Sequence, residues 1–131
     1  MIKFKKICNQ CKYVDQSFII VSKNALYTSH VGTCSVLLFS YNNLNFMAHI
    51  DALQNNSTQI IEKIKKHFNT TKLKNDITVY IIKGPWCLNN CYTTNIITKS
   101  LNALNIKFNI IEKKIKWTNE IYINNNKITI S

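Results

Sequence analysis

Arginine is absent from this chain; all 17 basic residues are lysine. Arginine is the side chain best suited to a bidentate grip on phosphate or guanine. Its absence weakens the nucleic-acid reading that a formal charge of +11 would otherwise invite. Acidic residues are few, six in all. No apolar run approaches the roughly 18–20 residues that cross a bilayer, so no membrane association is expected. The opening, Met1 to Cys8, is basic but has no long apolar core, which predicts no secretory signal and a cytoplasmic location. With two glycines and one proline, no linker or internal repeat is visible, and a single domain is expected. Lysine, asparagine and isoleucine crowd the chain instead. That usage is what an AT-rich coding sequence produces, and it fits a virus or an intracellular bacterium as the source.

Chemistry gathers in one stretch, Thr28 to Asp51. Cys34 stands at the mouth of an apolar run, and His49 follows fifteen residues later. An imidazole beside a thiol can take its proton and leave a thiolate that attacks carbonyl carbon. The other cysteines pair at short range, Cys8 with Cys11 and Cys87 with Cys91, and leave Cys34 over. The two pairs together have the ligand types for a tetrahedral zinc. The 75 residues between Cys11 and Cys87 exceed a compact zinc knuckle, and burial as small apolar side chains is the plainer expectation for Cys87 and Cys91. No metal and no cofactor is expected. His30 is a rival base for Cys34, and His67 is expected on a helix surface.

Residues 1–16 read as an arm or an edge strand, and 17–131 as the domain proper. Ser17–Ser22 is a short β-branched and aromatic run, a strand by composition. A loop over Thr28–Thr33 feeds a strand from Ser35 to Ser40. Asn42-Asn43 lies in a polar link, and Phe46–Ile50 resumes, so residues 35–50 are predicted to form a hairpin. This hairpin would bring Cys34 and His49 to the open ends of adjacent strands. Asn56-Ser57-Thr58 supplies caps for a helix over 58–69 with Ile60, Ile61, Ile64 and Phe68 inward. Lys72–Asp76 is a loop, and Ile77–Ile82 is apolar throughout, as a central strand would be. After the break at Gly84-Pro85, Asn89-Asn90 can cap a second helix over 91–104, with Asn105 as its stop. Ile106–Ile111 is a strand, and Glu120–Ile130 a closing hairpin around Asn124-Asn125-Asn126. The expected class is α+β: one domain with two main helices and a mostly antiparallel sheet.

From about Ser17 onward this order resembles the cysteine deamidase superfamily, which includes the CheD-like glutamine deamidases and the protein N-terminal asparagine amidohydrolases. Thr33-Cys34-x-Val36-x-Leu38 followed by His49-x-Asp51 carries the likeness, with the Ile77–Gly84 strand-to-glycine loop, a helix bearing Asn95, and the closing hairpin. The glycine loop departs from the pattern: Gly84-Pro85-Trp86 stands where a Gly-Gly pair is common. The resemblance implies a CheD-like fold and a cysteine hydrolase that deamidates Asn or Gln of a protein or peptide. Cys34 would be the nucleophile and His49 the base. Thr28, six residues before the cysteine, would orient the imidazole, with Asp51 as the alternative. Backbone N–H groups of Gly32 to Cys34, including Thr33, are the nearest oxyanion donors. Gly84, Trp86 and Asn95 are candidate pocket residues, Trp86 equally a rim aromatic. A non-catalytic basic module that binds nucleic acid or an acidic protein is the competing expectation.

Overall fold

A computed structural model describes residues 10–51, 56–69 and 77–131. The predicted loop over Lys72–Asp76 lies outside the described residues. The described strands are β1 (Lys12–Tyr13), β2 (Ile19–Ser22), β3 (Leu26–Thr28), β4 (Ser35–Tyr41), β5 (Leu44–Ile50), β6 (Ile77–Lys83), β7 (Phe108–Lys114), β8 (Ile121–Asn124) and β9 (Lys127–Ile130). Among the described residues two helices, α1 (Ser57–His67) and α2 (Tyr92–Ala103), accompany the strands, which makes the class α+β.

The strands form two sheets rather than one. The larger has the order β2-β5-β4-β6-β7 and is antiparallel except for the β6/β7 pair. The smaller has the order β1-β3-β8-β9, parallel only at β1/β3. Strand alternation divides the larger sheet into two apolar faces. Leu37 and Phe39, Phe46 and Ala48, and Val79 and Ile81 point to one side and pack with Ile60, Ile64, Ile97 and Leu101 of the helices. Val36, Leu38, Met47 and Ile82 point to the other and pack with Leu26, Ile121 and Ile123 of the smaller sheet. The result is three layers, helices over sheet over sheet, with a core in each gap.

The predicted hairpin over 35–50 is present, and Asn42 and Asn43 turn it at φ 54° and 65°. Asn125 and Asn126 turn the closing hairpin in the same way, and Asn105 ends α2 at φ 58°. Asparagine thus does the left-handed backbone work that glycine usually does. Asn56 caps α1 in a reciprocal capping box with Gln59. Other expectations shift. The central strand is β4, which follows directly on Cys34, and β6 lies one place out; β6 is apolar because helices cover one face and the smaller sheet faces the other. Thr28 ends a strand instead of opening a loop. Ser17 stands at φ 75°, so the second strand starts at Ile19. The strand expected at Ile106 starts at Phe108 and runs to Lys114. Cys91, not Asn89 or Asn90, is the N-cap of α2, and its side chain makes no capping bond.

Candidate active site

The strand β4 begins one residue after Cys34, and its register with β5 sets Val36 opposite His49. Cys34 and Val36 lie on the same face, so Cys34 is the diagonal neighbour of His49, at the spacing of about 7–8 Å usual between Cα atoms of such pairs. Both side chains enter the gap between the two sheets, and both are buried, Cys34 5% and His49 1% exposed. Cys34 is the free cysteine among the described residues.

His49 is held from one side only. Thr28 Oγ1 lies 2.8 Å from His49 Nδ1 and donates its own proton to the Val14 carbonyl at 2.6 Å. With its proton committed there, the hydroxyl can only accept from the ring, so Nδ1 carries the hydrogen. The lone pair is then on Nε2, which is buried and has no hydrogen-bond partner. Burial pushes His49 down to about 4, against the nearby charges of Asp15 and Asp51. Burial likewise pushes the Cys34 thiol up to about 11; Asp51 adds to the rise and a bond from the Thr33 side chain opposes it. The resting pair is therefore neutral thiol and neutral imidazole, with no Sγ–Nε2 hydrogen bond, in place of the preformed thiolate that the sequence suggests.

The remaining candidates divide. Asp51 accepts from Gln16 Nε2 at 2.8 Å and from Ser17 Oγ at 3.5 Å, while Thr28 bonds the imidazole. His30, at φ 57°, turns its Nδ1 to Ser29 Oγ at 3.0 Å and sets its ring against Trp117. His67 is exposed on α1. Among the described residues, none accepts a hydrogen bond from the backbone N–H of Gly32, Thr33 or Cys34.

Gly84 and Gly32, the two glycines of the chain, meet here. A Cβ on Gly84 would stand 2.5 Å from the Val31 carbonyl oxygen and nearer still to that of Gly32. A Cβ on Gly32 would meet the Trp86 ring at 2.8 Å and Trp117 at 3.0 Å. Neither has positive φ, so each serves close approach and not a turn. The Gly84 N–H bonds the Cys34 carbonyl at 3.2 Å, and that of Trp86 bonds the Gly32 carbonyl at 3.1 Å. Asn95, exposed on the first turn of α2, bonds the Asn90 carbonyl at 3.4 Å and stands outside the lining of the cavity beside Thr33.

Sequence reasoning missed two participants. The Val14 carbonyl reaches the site from the segment before β2, and a backbone oxygen leaves no residue signature. The second is a disulfide between Cys87 and Cys91, which ties the loop after Gly84 to the start of α2. Their sulfurs bond each other, so they are not thiolate ligands for the zinc alternative; the spacing itself is the signal that could have found them. Ser35 Oγ, next to the nucleophile candidate, bonds Thr93 and Thr94 at 2.8 Å each and lies 3.3 Å from Cys87 Sγ. No protein-family model matches the sequence, and no curated protein matches it.

Proposed function

We propose that this protein is a cysteine-dependent amidohydrolase of the CheD-like kind, hydrolysing the side-chain carboxamide of Asn or Gln in a protein or peptide. The observation that carries the reading is the Val14–Thr28–His49 chain, which leaves a buried, unpartnered Nε2 lone pair on the same face as the single free thiol among the described residues. A buried base with no partner costs stability, of order 1–3 kcal/mol, and such costs concentrate where a proton must move.

In the reaction, Nε2 takes the Cys34 proton as Sγ attacks the carboxamide carbon. The oxyanion is met by the N–H groups of Gly32 to Cys34. The tetrahedral adduct collapses as the imidazolium returns its proton to the leaving nitrogen, releasing ammonia and a thioester. Water, deprotonated by His49, hydrolyses the thioester to a carboxylic acid and restores the thiol. Catalytic hydrogen bonds often tighten only with substrate bound, which accommodates the open Sγ–Nε2 pair at rest. The fold beyond its α+β class, and a cytoplasmic site of action, belong to the same proposal. A disulfide at Cys87–Cys91 is more usual in oxidising compartments.

The test is ammonia release from Asn- and Gln-containing peptides and proteins. Wild-type protein should release it, Cys34→Ala should not, and the circular dichroism of the two should coincide. Absence of release from every substrate, together with steeply salt-dependent nucleic-acid binding that Cys34→Ala leaves unchanged, would replace this reading with the basic binding module.

A further inference from the structure

Large apolar side chains are unevenly exposed on this molecule. Trp86, Leu88 and Tyr92 are 58%, 66% and 60% exposed, and all three fall on the short stretch that leads from Gly84 into α2, Leu88 inside the Cys87–Cys91 disulfide loop and the other two flanking it. The Trp117 ring lies tilted against that of Trp86, centroids 5.4 Å apart, and is also exposed. With Thr33 and Thr93, the first three line a cavity of about 250 Å³. Thr33, whose side chain bonds the Cys34 thiol, lines this cavity, so the cavity borders the thiol-bearing residue.

This stretch is rigid as well as apolar. The disulfide closes the loop within it, and Trp86 N–H, Cys87 N–H and Cys91 N–H bond the carbonyls of Gly32, Gly84 and Leu88. Thr93 Oγ1 donates to the Thr33 carbonyl at 3.3 Å. Exposed aromatics on a preordered frame bind with little entropy left to lose, which is how binding anchors are built. A collapsed core would have buried them.

We infer that this cavity is a specificity subsite, taking an aliphatic or aromatic side chain that flanks the Asn or Gln of the substrate peptide. The inference rests on the amidohydrolase reading and names the substrate class for that site. A carboxamide at Cys34 places the adjoining residue of the peptide at Thr33, over Trp86 and Tyr92. Acidic or lysine-rich neighbours gain nothing from such walls.

The experiment titrates Cys34→Ala protein calorimetrically with end-blocked tetrapeptides in which Asn or Gln is flanked, on either side, by Phe or by Ala. A Phe-flanked peptide should bind at least about tenfold more tightly than its Ala counterpart, the advantage of burying one large apolar side chain. Leu88→Ser and Tyr92→Ser, both at well-exposed positions, should cut that advantage to about threefold or less, with Trp86→Ala as a third variant. Equal binding of Phe and Ala peptides, no binding of either, or a preference that survives all three substitutions would overturn the subsite. Ammonia release by the wild-type protein separates the two ideas. Phe preference without ammonia leaves the subsite standing and removes the amidohydrolase, whereas ammonia without preference does the reverse.

Discussion

Thr28 decides which nitrogen of His49 is basic, because its proton already belongs to the Val14 carbonyl. Thr28→Val removes the hydroxyl that accepts from Nδ1–H and donates to the Val14 carbonyl. We expect kcat to fall by about 10²-fold and stability by about 1–3 kcal/mol, with Thr28→Ser restoring most of both; equal damage from Ser and Val would mean that the methyl packing matters and the hydroxyl does not. The buried His49 also sets a pH dependence. Its folded value near 4 lies below the ordinary 6.5, so between these the unfolded chain binds the extra proton and stability falls as pH drops. The loss is complete near pH 4 and amounts to at most about 3 kcal/mol; urea titrations of wild type and His49→Gln across pH 4–7 should show the slope in the first and a flatter line in the second. Gly84→Ala should cost more than Gly32→Ala, since its Cβ meets fixed carbonyls and the other meets Trp rings that can tilt. How much of this was legible follows the kind of atom involved. Cys34, His49 and Thr28 could be named because side chains carry letters. Val14 could not, because its part is a carbonyl, and the neutral state of the pair could not, because burial on both sides is a property of the assembled layers.

At the scale of elements, local signals were read and non-local ones were not. Alternation and Asn-Asn turns revealed both hairpins, and the capping run Asn56-Ser57-Thr58 marked the start of α1, where Asn56 is the residue that caps. The strand β3 has three residues, all buried, so it has no alternation to detect, and its partners lie in β1 and β8 at distant points of the chain. The joining of the closing hairpin to β3 and β1 was therefore invisible, and with it the second core that buries His49. The start of α2 was misplaced for a related reason. Cys91 caps by position alone, and the disulfide to Cys87 does the holding that a capping side chain would do. Reducing that bond should cost about 2 kcal/mol, the small entropy of a short closed loop. Unfolding in denaturant of the wild type and of a Cys87→Ser/Cys91→Ser variant measures it; no change in midpoint would mean that the bonds of Ser35 to Thr93 and Thr94 suffice to hold the loop.

On the scale of the whole molecule, the charge stands apart from the fold. Seventeen lysines face six carboxylates. Lys83 and Glu112 form an ion pair at 3.7 Å, on the β6/β7 ladder. Beyond it, Lys113 and Lys114 lie exposed at the sheet edge beside the exposed Ile110 and Ile111, where like charges discourage another strand from adding. Among the described residues no helix is long and apolar enough to cross a membrane. The excess charge is a repulsive load on the compact state, since unfolding moves the lysines apart. Raising sodium chloride from 10 mM to 1 M shortens the screening length from about 30 Å to about 3 Å and should relieve that load. The thermal midpoint by scanning calorimetry is then expected to rise by several degrees, most steeply at the low end of the series, where screening changes over the distances between surface lysines. Lys113→Glu with Lys114→Glu should raise the low-salt midpoint and shrink the salt response together. A midpoint that falls with salt would instead mean that attractive pairs outweigh the repulsion, and that the lysine excess has no bearing on stability.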